Sequence, residues 1–245
     1  MLHAKMMSRA GSNWDRDADL TAIEATYERY QLEERDRLWD MSNPGFRRTV
    51  VESRLEILRL LSEETRQVGP RVLDVGCGTG DLAGEALDAG LECDWIGIDL
   101  RQAAILEARR RYPSARFIKA SADAIPLPDR SVDVALAIVL FSSLPSLDLE
   151  TAVARELRRV IRPGGSLIWF DLRYSNPRNR AVHAMSEDRV RRVFAGWDVA
   201  VTSTSLLPPI ARRLGRLTSL IYPILRAIAP LRSHLIGRIR RASGA

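Results

Sequence analysis

The chain is poor in cysteine, with only Cys77 and Cys93 in 245 residues. No disulfide framework is expected from two cysteines, and without a C-x-x-C pair or a Cys/His spacing of the structural-zinc kind both should be free. Long apolar runs are missing too: no stretch of about 18 uncharged apolar residues occurs, so no membrane-spanning helix is expected. Residues 1–13 lack an apolar core followed by a small-residue cleavage site, which argues against a secretory signal and for a cytoplasmic protein. Acidic residues are absent from 199 to 245, where eight arginines lie. All 31 acids therefore precede Val199, and the net charge of +6 comes from one segment of the chain. Such a local cationic patch says something about what approaches that surface.

What is present suits one large domain. Hydrophobic residues make up 46% of the chain and aromatics 6%, which is ordinary globular composition. Residues 15–64 contain two helical stretches broken at Asn43-Pro44-Gly45, the second with Val50, Leu55, Leu58 and Leu61 near helical spacing. Residues 1–64 are read as a helical extension that packs on the core or caps a ligand. After Gly69-Pro70, short β-branched runs alternate with helical segments, the pattern of βαβ units. Strands are expected at 71–75, 94–99, 115–120, 132–138, 166–172 and 198–205, with helices at 82–89, 102–111, 149–160 and 187–194. Residues 233–240 form either another strand or the end of a helix.

The segment from Arg71 to Gly80 is a buried-strand pattern that runs into three glycines spaced by single residues and then a helix. Glycines at such a turn allow a sharp reversal and a close approach of ligand to main chain. About twenty residues later Asp99 closes the next strand, where a carboxylate can accept from both hydroxyls of a ribose. The pair fits an adenosine-containing ligand; each element alone is also compatible with a plain turn or a helix cap.

Val72-Leu-Asp-Val-Gly-Cys-Gly-Thr-Gly80 resembles the first motif of class I S-adenosylmethionine-dependent methyltransferases, and Gly97-Ile-Asp-Leu100 its acidic partner. Three further segments match that family in order: Ser121-Ala-Asp-Ala-Ile-Pro-Leu-Pro128, Ser131-Val-Asp-Val-Ala-Leu136, and the helix, turn and strand of Leu157-Arg-Arg-Val-Ile-Arg-Pro-Gly-Gly-Ser-Leu167. The resemblance implies a Rossmann-like α/β fold with a seven-stranded sheet, helices on both faces, and S-adenosylmethionine as cofactor with S-adenosylhomocysteine as product. Backbone around Gly76, Cys77, Gly78 and Gly80 would then meet the methionine portion, with Asp74 on its ammonium group. Asp99 would hold the ribose, Leu100 would pack on the adenine, and Asp123, between Ala122 and Ala124, would accept from the exocyclic amine. At the end of the fourth strand the family often has a polar residue; Ile138 stands there, followed by Val139, Leu140 and Phe141.

Methyl transfer needs alignment, exclusion of water and the management of one proton. For an alcohol acceptor the candidate bases follow the fifth strand, Asp171 at its end and His183 beyond it; an arginine partner for Asp171 and a solvated loop for His183 are the structural alternatives. No metal is expected, since no acidic ligand lies between the fourth strand and Asp148. Neither an Asn/Asp-Pro-Pro-Tyr nor an Asn/Asp-Pro-Pro-Phe tetrad follows that strand, which weighs against methylation of nucleic-acid bases.

Residues 206–232 are read as a basic, amphipathic helical insertion. Ile210, Leu214, Leu217, Ile221, Ile224 and Ile228 share one expected helical face, Arg212, Arg216 and Arg226 lie off it, and Pro223 should kink or divide the helix. Beside Arg173, Arg178 and Arg180 of the loop after the fifth strand, this segment reads as a lid or docking surface for an amphiphilic or anionic acceptor, or for a membrane surface that carries it. A helix packed on the domain with solvated arginines is the plainer reading. Nucleic acid is disfavoured, because Tyr222 is the segment's only stacking aromatic. The expected function is O-methylation of a small, sugar or lipid-linked metabolite; C-methylation of a quinone-like ring, RNA methylation and a non-catalytic cofactor-binding protein are the alternatives.

Overall fold

The computed structural model describes residues 14–33, 40–66, 69–176, 179 and 181–241. Seven strands form one sheet in the order β3-β2-β1-β4-β5-β7-β6. They are β1 Arg71–Val75, β2 Asp94–Asp99, β3 Arg116–Lys119, β4 Val132–Ile138, β5 Ile161–Leu172, β6 Trp197–Leu206 and β7 Arg232–Arg241. All neighbours pair in parallel except β7, which is antiparallel to both β5 and β6. The 233–240 segment is thus a strand, as the first of its two readings had it. The Pro163-Gly164-Gly165 turn lies within β5, between the pairings Val132↔Ile161 and Val134↔Ser166, so β5 begins earlier than its apolar run suggests.

The period of two along each strand sends alternate side chains to opposite faces. Val72, Trp95, Val134, Leu136, Ile168 and Phe170 bury against helices α2 (Pro44–Glu64), α3 (Asp81–Asp88) and α4 (Gln102–Arg111). Leu73, Val75, Ile96, Ile98, Ala135, Leu167 and Trp169 bury on the other face, against α5 (Leu147–Val160) and α6 (Glu187–Val193), with Leu20 and Ile23 of α1 (Arg16–Glu33) packed at the margin. Helices on both faces over a mainly parallel core explain why the central strands are apolar almost throughout.

Helix α2 starts where the sequence shows a break. Asn43 accepts from the Phe46 amide at 3.0 Å as an N-cap, and Pro44 takes the first turn, where its missing N–H costs nothing. Of the apolar residues at helical spacing, Leu61 is buried and Leu58 packs against the core, but the buried face is centred elsewhere. Phe46, Thr49, Ser53, Ile57, Leu60 and Leu61 point inward, and Leu55 is exposed. Thr49 and Ser53 can be buried because their hydroxyls donate to the carbonyls of Gly45 (3.1 Å) and Thr49 (2.9 Å).

The 206–232 insertion is not one kinked helix. It consists of the single turn α7 (Pro208–Ala211), a 3₁₀ turn at Gly215–Leu217, α8 (Thr218–Ala227) and a 3₁₀ turn at Ala229–Leu231. The first piece stops at Ala211 and the next turn starts at Gly215, whose φ is +50°, so the six apolar residues expected on one face are divided. Ile210 and Leu214 pack against a small cluster of Leu206, Ala211 and Tyr222, whereas Leu217, Ile224 and Ile228 face solvent. The insertion is fastened to α2: a Cβ on Gly45 would lie 1.8 Å from the Ala211 carbonyl oxygen, and Tyr222 donates to Glu52 at 2.5 Å. Helix α2 also takes up part of the basic charge of the insertion and of β7. Arg226 pairs with Glu52, Arg238 and Arg240 with Glu64, and Arg212 stacks over Phe46 at 4.3 Å. Among the described residues no helix is long and apolar enough to cross a membrane. Arg178 and Arg180 lie outside the described residues.

Candidate functional site

At the carboxyl ends of β1, β2 and β4 lies a cavity of about 470 Å³, within the range of roughly 300–1,000 Å³ usual for small-molecule sites. Its floor is the turn after β1. Gly76 and Cys77 amides both donate to the Ile98 carbonyl (2.8 and 2.9 Å), tying the turn to β2, and the Gly78 amide donates to Asp99 at 2.9 Å. Gly80 ends the turn at φ +78° as the N-cap of α3, and a Cβ there would stand 2.9 Å from the Phe117 ring. Only glycine satisfies both conditions. Cys77 is buried, and burial pushes its thiol up, so it stays protonated and serves as a turn residue.

Two carboxylates face this turn. Asp74 is 3% exposed, and burial pushes it up to about 7, with Arg54 opposing the rise. Asp99 accepts from the Arg101 amide at 2.9 Å and from Arg101 Nε at 3.1 Å, besides Gly78. Leu100, Ala122 and Ile138 line the same cavity with Asp74, Gly76, Cys77, Gly78 and Asp99. Gly80 and Asp123 stand behind the lining, and Ala124 is exposed. Asp123 is engaged by Arg16 of α1 and by Ser121; burial alone would raise its carboxyl, but these two partners hold it below the usual range.

Asp171 and His183 do not line the cavity; they sit one residue behind its wall. Asp171 is fully buried, accepts from the amides of Ser142 (3.1 Å) and Leu172 (2.8 Å), and is pushed up to about 6 by burial. His183 donates its amide to the Ser142 carbonyl at 2.9 Å, and its Nε2 lies 2.9 Å from Glu150. Glu150, itself buried, also takes the Arg189 guanidinium at 2.5 and 3.1 Å. Both groups brace the turn that presents Ser143 to the cavity.

Apart from Leu140, the far wall is made of residues that the sequence motifs do not single out. It is made by Leu20, Ile23, Tyr27 and Tyr30 of α1, by Leu140, Ser143 and Leu144, and by Leu149 and Val153 of α5. Arg54 of α2 closes one side. The spacing of Leu20, Ile23, Tyr27 and Tyr30, at intervals of three, four and three, puts them on one helical face, and that signal was available. Arg101 lies over the Tyr27 ring at 4.4 Å, so α1 covers the cavity while touching the residue that pairs with Asp99. The insertion contributes nothing to the lining, contrary to its reading as a lid: α1 occupies that place, and α2 stands between cavity and insertion.

Residues 72–165 match the family described as Methyltransferase domain. This segment is a class I methyltransferase domain. The chain is 36% identical over 110 residues to the phthiotriol/phenolphthiotriol dimycocerosates methyltransferase 1 of Mycobacterium ulcerans, a match covering 44% of this chain and 40% of that protein. It is 34% identical over 107 residues to the fatty-acid O-methyltransferase of Mycolicibacterium smegmatis, covering 43% and 38%. These matches span about two fifths of the length of either relative. The methyltransferase fold extends further than the sequence match. Geranyl diphosphate C-methyltransferase from Streptomyces coelicolor A3(2), solved with Mg²⁺, geranyl diphosphate and S-adenosylhomocysteine, superposes with a TM-score of 0.57 at 16% identity, over 76% of this chain and 79% of that one.

Proposed function

We propose that this protein uses S-adenosylmethionine to methylate an oxygen of an amphiphilic acceptor. The observation that carries the reading is the two-sided cavity. One side offers a glycine turn flanked by Asp74 and Asp99, the other an apolar wall from α1 and α5. The residues present fit the cofactor: Asp99 is a carboxylate that could accept from ribose hydroxyls, Asp74 is a buried carboxyl suited to an ammonium group, and Arg54 would supply a cation for the cofactor's carboxylate. When bound, the cofactor supplies an electrophilic methyl group on a sulfonium. The chain's own contribution is to orient the two partners and keep water out, which Leu20, Ile23, Leu140, Leu144 and Val153 do by apolar contact.

The proton requirement narrows the acceptor. Among the described residues no histidine lines the cavity, and His183 and Asp171 stand behind it. An acceptor hydroxyl would need one of these two to move toward it, whereas a carboxylate or another ionised oxygen attacks without a base. The apolar wall of α1 and α5 suits the apolar tail of such an acid. One of the two relatives named above is a fatty-acid O-methyltransferase, which supports the same class.

The test is incubation with methyl-labelled cofactor and total extract of the source cells, followed by partition and mass spectrometry. Label in the organic phase, lost on mild alkaline hydrolysis as a methyl ester would be, is the expected result. Alkali-stable label in that phase would indicate C-methylation or an ether, and label in RNA would refute the reading.

A further inference from the structure

We propose that α8 docks this protein on an anionic lipid bilayer, with the end of the sheet that holds the cavity turned toward the membrane. The proposal rests on the amphiphilic acceptor argued above for its purpose, though the contact itself needs neither cofactor nor acceptor. Helix α8 is apolar on two opposite faces. Thr218, Tyr222 and Leu225 turn inward onto α2 and the end of β6. Leu220 and Ile224, one turn apart, turn outward at 68% and 63% exposed, extended by Leu217 at 54% and Ile228 at 46%. Four large aliphatic side chains in a row on a surface mark a contact, since isolated exposed leucines are ordinary but a contiguous patch is not.

The charge beside the patch selects the partner. Arg213 and Arg216, in the turn that leads into it, are exposed and have no carboxylate partner among the described residues, in contrast to Arg226, Arg238 and Arg240. No acid occurs from 199 onward. A second copy meeting α8 by a twofold axis would set these arginines against their own counterparts, which disfavours it. An anionic bilayer satisfies both features, taking the aliphatic face into the acyl boundary and the arginines among the headgroups. Position agrees with use. Because β7 is antiparallel to both neighbours, β6 runs parallel to β5, β4 and β1, so the insertion that follows Leu206 leaves the same end of the sheet at which the cavity opens.

Co-sedimentation of the full chain with vesicles tests this, using phosphatidylcholine alone and phosphatidylcholine mixed with phosphatidylglycerol. The wild type should partition at least about tenfold more strongly onto the anionic vesicles, and the preference should fade as salt shortens the Debye length from about 10 to 3 Å. Arg213→Gln with Arg216→Gln should lose about 25-fold on the anionic vesicles, some fivefold for each charge, and remove most of the salt dependence. Leu220→Gln with Ile224→Gln should lose binding to both. Leu106→Gln, an equally exposed leucine on α4, is the control and should bind as wild type. All five positions are exposed, so melting temperatures should stay within a few degrees of one another.

Equal partition onto the two vesicle types, or undiminished binding by the Leu220/Ile224 variant, would overturn the proposal. So would a dimer in sedimentation velocity that the same variant dissolves. Titration of S-adenosylhomocysteine into each variant separates this outcome from failure of the proposed function: unchanged cofactor binding with lost vesicle binding is the result expected, and absent cofactor binding with intact vesicle binding would sink the function alone.

Discussion

The ionisation of Asp74 is the most searching quantity in the site. Its carboxyl is held up to about 7 by burial at the end of β1, against roughly 3.9 in an unfolded chain. An acid raised on folding stabilises the native state fully below its unfolded value and loses that contribution as pH climbs through the folded one. Between about pH 5.5 and 8 the loss from this one group is about 2 kcal/mol, worth a fall in Tm of about 4–8 °C for a chain of this size. The Asp74→Asn variant carries no such charge, so its stability relative to wild type should rise by that amount over the same interval. An ammonium-bearing ligand reverses the balance, because it favours the ionised form. S-adenosylhomocysteine should therefore bind wild type about tenfold more tightly at pH 8 than at pH 6, and Asp74→Asn weakly and with no such slope. Denaturant melts and calorimetry at matched ionic strength measure both. A wild-type-to-variant difference that is flat in pH would mean that Asp74 is ionised throughout, and the reasoning from burial would be wrong.

Three further outcomes follow from the geometry. Arg54→Gln should weaken S-adenosylhomocysteine by about 1.5–3 kcal/mol while leaving 5′-methylthioadenosine, which lacks the amino-acid portion, unaffected in the same calorimeter. Gly80→Ala combines a left-handed backbone with a Cβ 2.9 Å from Phe117, and thermal melts should show a loss of at least about 2 kcal/mol. Glu150→Ala removes a buried carboxylate from between Arg189 and His183, which are themselves partly exposed, and should cost about 1.5–3 kcal/mol in urea denaturation.

Local chemistry was readable from the chain and long-range packing was not. The strands of the core, the turn from Gly76 to Gly80 and the position of Asp99 follow from periodicity and spacing within a few residues, and the structure has them there. The burial of Thr49 and Ser53 escaped that reading because their hydroxyls are satisfied by the helix's own carbonyls, so polar residues sit where apolar ones were sought. The basic charge of the C-terminal segment is legible in the sequence, yet acids on α2, far earlier in the chain, neutralise Arg226 of the insertion and Arg238 and Arg240 of β7. The insertion's apolar residues were assigned to one face because Gly215 was passed over as a break. Arg54 and the face of α1 were missed for a related reason: nothing in the motifs of the core says which flanking helix comes back to cover the cavity.

Titration of S-adenosylhomocysteine into the wild type and into Asp99→Ala tests the central claim most directly. Asp99 accepts from Gly78 and Arg101 in the free protein and is the group assigned to the ribose. The account predicts one site of micromolar-range affinity in the wild type, and a loss of about 2–4 kcal/mol in a folded Asp99→Ala variant, because bonds to an ionised carboxylate are among the stronger kind. Preference for a nicotinamide dinucleotide, or unchanged affinity in the variant, would contradict it.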